Sequence, residues 1–319
     1  MRDSARKVLV SSACVLGLSA AAAPVLAFAA ASPAAAAAAP ASTAGSLLPT
    51  PGLYHVPIIG KSLLPGLGSL LGFSLRHATN VQSSNWSGYA DTTDTYNSVA
   101  ASWTEPTVNC GSSGSGGGGL LGGLLGGNGL GNLLGPGGSA ASFWVGLDGY
   151  TSASVEQLGT DSDCNGSTPS YYAWWEMYPN PSQVLSSSTY PVHPGDQMTA
   201  WVASNSSGTN FYLAEKDVTA GWSFSTNQTA SSGFARSSAE IVAEAPSSCN
   251  LLFCSEVPLS NFSQVSFGNA DLIDNSGNNG SLSSFAANEI TMASGGRTEA
   301  VPTSLSSDGR SFSITWENS

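Results

Sequence analysis

Carboxylates and carboxamides are the side chains through which this 319-residue chain can do chemistry. It has no Gly-x-Ser-x-Gly elbow and no His-Glu-x-x-His pair, the motifs of a serine nucleophile and of a zinc-bound water. After residue 80 the sequence holds one histidine, His193, between prolines in "YPVHPGDQM", where it reads as an exposed loop residue; His77 lies just before. In "SYYAWWEMYP" a strand's alternation puts Tyr172, Trp174, Glu176 and Tyr178 on one face. A carboxylate among three aromatics suits a substrate cleft, and equally a core-edge glutamate capped by a tyrosine hydroxyl. In "RSSAEIVAEAP" the same period sends Ala239, Ile241 and Ala243 to the core and Glu240, Val242 and Glu244 to the opposite face. Solvent exposure is the default for such a pair. In "ASFWVGLDGYTSASVEQLGTDSDC" no glutamine other than Gln157 occurs between Gln82 and Gln183, and it is either a surface residue or half of a catalytic pair. A carboxylate can move the proton of an attacking water, and an amide can donate to the oxyanion that results.

The elements that must position these groups are strands. Runs such as "SVAASWTEPTV", "SFWVGLDG", "QMTAWVAS", "NFYLAEKDVT", "AEIVAEAP" and "SFSITW" are rich in β-branched and aromatic residues and are separated by Asn, Gly, Ser and Asp clusters. "SNSSGTN" reads as a hairpin turn, and no amphipathic helix of three turns is visible. The expectation is an all-β, two-sheet antiparallel β-sandwich of concanavalin-like form over residues 81–319.

Residues 1–30 read as a secretory signal peptide, with Arg2, Arg6 and Lys7, an apolar run, and small residues near Ala27 and Ala29. Residues 31–80, rich in Pro, Gly, Ser and Leu, read as a propeptide or linker. Residues 111–138 set Leu-Leu pairs in glycine; their match to a dinucleotide fingerprint is a chance product of composition, and they read as an insertion between two strands.

After residue 80 there are twenty acidic side chains against four basic ones, a net −16, which repels nucleic acid and anionic membranes. Export makes disulfides the natural reading of Cys110, Cys164, Cys249 and Cys254. The favoured pairing is Cys249 with Cys254 and Cys110 with Cys164. No Cys-x-x-Cys occurs and histidine is scarce, so neither a metal nor another cofactor is expected.

Four stretches taken together resemble the glutamic peptidases, the eqolisin or G1 family. They are "SSNWSGYA" (83–90), "FWVGLDG" followed by "EQLG" (143–159), "AWWEMYP" (173–179) and "AEIVAEAP" (239–246), in the family's order. The resemblance runs over about three quarters of the chain. It implies a β-sandwich endopeptidase that is active in acid and uses one glutamine and one glutamate. Carried over, these are Gln157 and Glu240, with Glu244 as a second acid. Trp86, Trp144, Asp148, Trp174, Glu176 and Tyr178 fall on positions that line or support the substrate cleft. Ile241 stands where the family has tryptophan, and the loop from Asp148 to Gln157 is one residue shorter than in the fungal pattern. The function implied is a secreted, extracellular, monomeric acid endopeptidase made as a precursor and acting on polypeptides, with no nucleic-acid partner and no membrane association after processing. The alternatives are a carbohydrate-binding β-sandwich, or a glycoside hydrolase using Glu176 and Glu240.

Overall fold

The computed structural model describes residues 52–63, 79–111, 134, 138–230, 234–249 and 254–319. The signal-peptide stretch and the Gly/Leu-rich part of the insertion lie outside the described residues. All described residues belong to one compact unit, Thr43–Ser319.

The first strands are β1 (Gly52–Tyr54), β2 (Ser62–Leu63), β3 (Asn80–Ser83), β4 (Trp86–Asp91), β5 (Tyr96–Thr104), β6 (Ser142–Leu147) and β7 (Val155–Asn165). They are followed by β8 (Thr168–Tyr178), β9 (Gln183–Val184), β10 (Gln197–Ser204), β11 (Asn210–Asp217), β12 (Trp222–Thr229) and β13 (Ala239–Glu244). The chain closes with β14 (Ser247–Cys249), β15 (Cys254–Glu256), β16 (Gln264–Asp274), β17 (Asn279–Gly280), helix α1 (Leu282–Phe285), β18 (Asn288–Ser294), β19 (Arg297–Pro302) and β20 (Phe312–Trp316). Among the described residues α1 is the single helix, one turn long, and no helix is long and apolar enough to cross a membrane.

Strands β9, β8, β7, β6, β13, β4 and β18 lie side by side in that order. Strands β12, β11, β10, β5, β16, β20 and β19 form a second run, and the pairing of β18 with β19 joins the two along one edge. The result is the expected antiparallel two-sheet sandwich. β10 and β11 form the hairpin expected at "SNSSGTN". Phe143, Val145, Leu147, Leu158 and Ile241 from the first sheet meet Trp103, Met198, Val202, Phe211, Leu213 and Phe267 from the second. This interior is what fixes the strand registers, because a slip of one residue would turn every such side chain outward.

β4, β6 and β13 are buried on both faces. Their second face belongs to another cluster, built on Trp86, Trp144, Trp174, Val242 and Ile290. It is covered by residues 52–61, from the stretch read as propeptide or linker. That piece enters as β1, which pairs with β14, and runs on into β2, which pairs with β3. Both expected disulfides are present: Cys110–Cys164 ties the end of β7 to the segment after β5, and Cys249–Cys254 closes β14 onto β15.

Candidate active site

Gln157 on β7 faces Gly146 on β6 and Glu176 on β8 in the sheet register. Its side chain, fully buried, projects from the face opposite Leu158. The Nε2 amide donates to the carbonyl oxygen of His55 at 2.5 Å and to Glu176 Oε2 at 3.1 Å. Both partners are acceptors, so they settle which end of the carboxamide points at them.

The next link in the chain, the N–H of Val56, donates to Glu244 Oε1 at 2.9 Å. The His55 carbonyl and the Val56 N–H belong to one peptide unit. Gln157 therefore holds the oxygen, and Glu244 the nitrogen, of the same amide bond. The other carboxylate oxygen of Glu244 accepts from Trp144 Nε1 at 2.9 Å, which fixes its aim. Burial holds the Glu244 carboxyl well above the usual range, opposed by the charge of His55 and the Val56 N–H.

Glu240, the glutamate expected to pair with Gln157, does not share this amide. It lies on the same face of β13 but opposite Gly146, and the Trp144 ring leans over that glycine: a Cβ added there would sit 2.8 Å from Trp144 Cζ3 and 3.1 Å from Gln157 Cβ. The indole thus fills the space between Gln157 and Glu240 while its N–H reaches Glu244. Glu240 keeps company instead with Ser238, Asp148, Glu156 and Asp91; burial is the main cause that lifts its carboxyl well above the usual range.

Of the residues expected to line the cleft, five meet the segment or its partners. Trp86 Nε1 donates to the Val56 carbonyl at 3.1 Å. Trp144 holds Glu244. The Trp174 indole lies parallel to the His55 ring with centroids 3.4 Å apart. Glu176 Oε2 accepts the His55 backbone N–H at 3.0 Å and lies 3.2 Å from its Nδ1. Tyr178 packs edge-on against Tyr54. Asp148 lies in a supporting position, before the strand that carries Glu240 and Glu244. Its carboxylate accepts the backbone N–H groups of Arg236 and Ser237 at 2.7 and 2.8 Å, and so anchors the approach to β13.

Three contributors went unnoticed in the sequence. Asp161 lies four residues beyond Gln157 on the same face of β7, where a strand's alternation applied from Gln157 would reach it. Asn85, beside Trp86, donates to the carbonyls of Val56 and Pro57 at 3.3 Å and accepts from the Ile59 N–H at 2.7 Å. His55 carries no local signal, since it sits in a stretch without period. Its Nε2 is 3.3 Å from Asp161 Oδ1. Burial alone would lower its pKa, but the charge and hydrogen bond of Asp161, then Glu176, raise it to about 10. Burial also raises Glu176, with His55 opposing. Among the described residues, no group of three His, Cys, Asp or Glu side chains is placed to hold a metal ion.

A model of the Peptidase A4 family matches residues 84–316. Aspergillopepsin-2 of Aspergillus niger is 35% identical over 136 residues, which is 42% of this chain and 46% of that protein; the chain thus matches under half the length of this curated relative. Among solved structures, scytalido-glutamic peptidase with a transition state analog inhibitor superposes with a TM-score of 0.59 at 24% identity, over 73% of this chain and 98% of that one. SCP-B, a member of the eqolisin family in a complex with the tripeptide Ala-Ile-His, gives 0.55 at 23% identity over the same shares. At these identities the two structures speak to the fold.

Proposed function

The chain belongs to the Peptidase A4 family, the glutamic peptidases or eqolisins, and from that premise we propose that it is a secreted acid endopeptidase whose working pair is Gln157 and Glu244. The observation that carries this reading is the shared amide: Gln157 Nε2 on the oxygen and a Glu244 oxygen on the nitrogen of the bond between residues 55 and 56. A peptide of substrate presented in that way meets a donor where negative charge develops and a proton carrier where the leaving nitrogen forms.

In the reaction so read, a water adds to the carbonyl carbon and gives its proton to the Glu244 carboxylate as the new C–O bond forms. The Gln157 amide stabilises the oxyanion without titrating, a contribution of about 3–4 kcal/mol for one buried donor. Glu244 then passes the proton to the nitrogen as the C–N bond breaks. Burial of Glu244 favours the protonated form that delivers the proton to the nitrogen, while the charge of His55 and the N–H groups of Val56 and Trp144 favour the carboxylate that takes it from the water. Trp144 keeps the carboxylate aimed, and Glu176 holds the Gln157 amide in place. Glu240 supports the sheet end where Asp148 anchors β13.

The test is digestion of a denatured protein by the purified full chain from acid to neutral pH. Cleavage is expected at about pH 2–5, falling toward about pH 7. Glu244→Gln and Gln157→Ala should each lose about 100-fold or more in kcat, and the double variant little further. Glu240→Gln, checked for folding, should lose far less. Full activity in Glu244→Gln, or an optimum at or above neutrality, would sink the proposal.

A further inference from the structure

Trp201 and Tyr212 stand on a face that the proposed reaction does not use. Alternation along β10 sends Met198, Ala200 and Val202 to the interior and Trp201 to the outer face of the second sheet, where it is partly exposed. That face lies across the sandwich from the one that carries Gln157 and Glu244. The register sets Ala100 of β5 on one side of Trp201 and Ala214 of β11 on the other, so the indole has a methyl group on each flank. Trp201 Nε1 donates to Ser98 Oγ at 2.6 Å. Ser98 sits on β5 opposite Ala203, so a ring that reaches it leans along the sheet across the gap between strands. Tyr212, opposite Ala203 on β11, meets the indole edge-on, with centroids 5.3 Å apart and planes at 70°. An ion pair borders these rings. Asp271 of β16 faces Ala100, which puts Asp271, Ala100 and Trp201 in one row across three neighbouring strands. Two strand spacings, about 10 Å, separate the ends of that row. Asp271 Oδ1 is 2.6 Å from Arg310 Nη1, and Asp271 Oδ2 accepts from Asn279 Nδ2 at 2.6 Å. The carboxylate is 30% exposed and the guanidinium 38%, so both can take a further partner.

We propose that Trp201, Tyr212 and the Asp271–Arg310 pair form a surface site for a neutral polysaccharide. A pyranose ring has an apolar C–H face and a rim of hydroxyls, each a donor and an acceptor. The face lies on the indole, and the rim meets a carboxylate that accepts and a guanidinium that donates. Charge decides the class of ligand. The chain after residue 80 carries a net −16, which repels nucleic acid and acidic polysaccharides before they reach the rings. Asp271 is matched by Arg310, so the border itself presents hydrogen-bonding groups without net charge. Ser102 Oγ and Thr199 Oγ1, 3.0 Å apart on the same face, and Asn227 beside Tyr212 extend the polar floor on either side of the rings. A polysaccharide bound there leaves the opposite face of the sandwich open, so the site would hold the enzyme on a matrix while the cleft takes protein. The proposal does not depend on which residues cleave the peptide bond.

The test is depletion of the purified full chain from solution by insoluble cellulose, β-1,3-glucan, chitin and starch, with cross-linked polygalacturonate as the charged comparison. The parent protein should be retained on at least one of the four neutral polymers and released by its soluble oligosaccharide. Trp201→Ala should weaken that retention by about tenfold or more, the range of one stacked ring. Two further variants leave the indole in place. Ala214→Gln raises a side chain beside it, and Arg310→Gln removes the donor at its border; each should also weaken retention. Thermal melts and digestion of a denatured protein should stay near the parent in both, because neither residue touches the cleft. Retention on none of the neutral polymers would overturn the site. So would equal retention of the parent and the folded variants, or tighter retention on polygalacturonate than on any neutral polymer. Retention by a protein that cleaves nothing would support the site and remove the peptidase reading.

Discussion

Glu105 offers a direct measure of how this sandwich responds to pH. It follows β5 and is buried between the layers, with Oε1 accepting from Ser162 Oγ at 2.6 Å and Oε2 from Thr160 Oγ1 at 2.5 Å and Trp103 Nε1 at 3.3 Å. Burial raises its pKa to about 7 against those three opposing hydrogen bonds, with the charge of Asp161 adding to the rise. From an ordinary value of 4.5, a rise to about 7 corresponds to about 3 kcal/mol of linkage. A carboxyl raised in the folded state keeps its proton longer there than in the unfolded chain. The stability it contributes is therefore complete below about pH 4.5 and is lost as the pH climbs through about 7.

Glu105→Gln removes the titration while keeping the shape: the amide oxygen in the place of Oε2 still accepts from Thr160 and Trp103, and the amide nitrogen donates to Ser162 Oγ once that hydroxyl turns to accept. The variant should lie within about 1 kcal/mol of its parent near pH 4 and gain on it by about 3 kcal/mol near pH 8. Part of that gain passes through Glu215, whose raised carboxyl also feels the Glu105 charge. The assay is urea unfolding followed by tryptophan fluorescence at steps from about pH 4 to 8, with both proteins carrying Glu244→Gln so that unfolded chains are not digested. Other buried carboxyls tilt both curves equally and cancel in the difference. A difference that stays flat across the range, or that widens against the variant at high pH, would refute the reasoning.

Gly159→Ala should prevent normal folding or lower stability by about 3 kcal/mol or more, because the added Cβ would lie 2.1 Å from the Phe143 carbonyl oxygen and 2.6 Å from Trp144 Cβ; a thermal melt and a peptidase assay read both consequences. The disulfides should differ in weight. Cys110–Cys164 spans 54 residues and Cys249–Cys254 spans 5, so chain entropy assigns them about 4 and about 2 kcal/mol, to be compared by urea unfolding of the paired Cys→Ser variants.

Much of this molecule is legible one residue at a time. The alternation of "SFWVGL" and "AEIVAE" follows from the extended backbone, which sends successive side chains to opposite faces whatever lies beyond them. That local rule yields an all-β sandwich, puts Glu240 and Glu244 on one face of their strand and Glu176 on a face with three aromatics, and the cysteine positions lead to the disulfide pairing found. It stops where two residues obey it equally well. Glu240 and Glu244 share a face of one strand, and nothing in their own segment ranks them. In the proposed reading Glu244 is preferred for its surroundings across the sheet, where the Trp144 indole lies over Gly146 beside Gln157 and turns its N–H toward Glu244. Asp148 is assigned to the cleft by its motif and to the backbone of residues 236–237 by its contacts. His55 is the extreme case, 102 residues from Gln157 in sequence and 2.5 Å from it through its carbonyl. Periodicity is set by backbone sterics within a few residues, whereas the identity of a partner depends on which strands the core has brought together. Only the tertiary structure joins a segment without period to the carboxylates that contact its side chain.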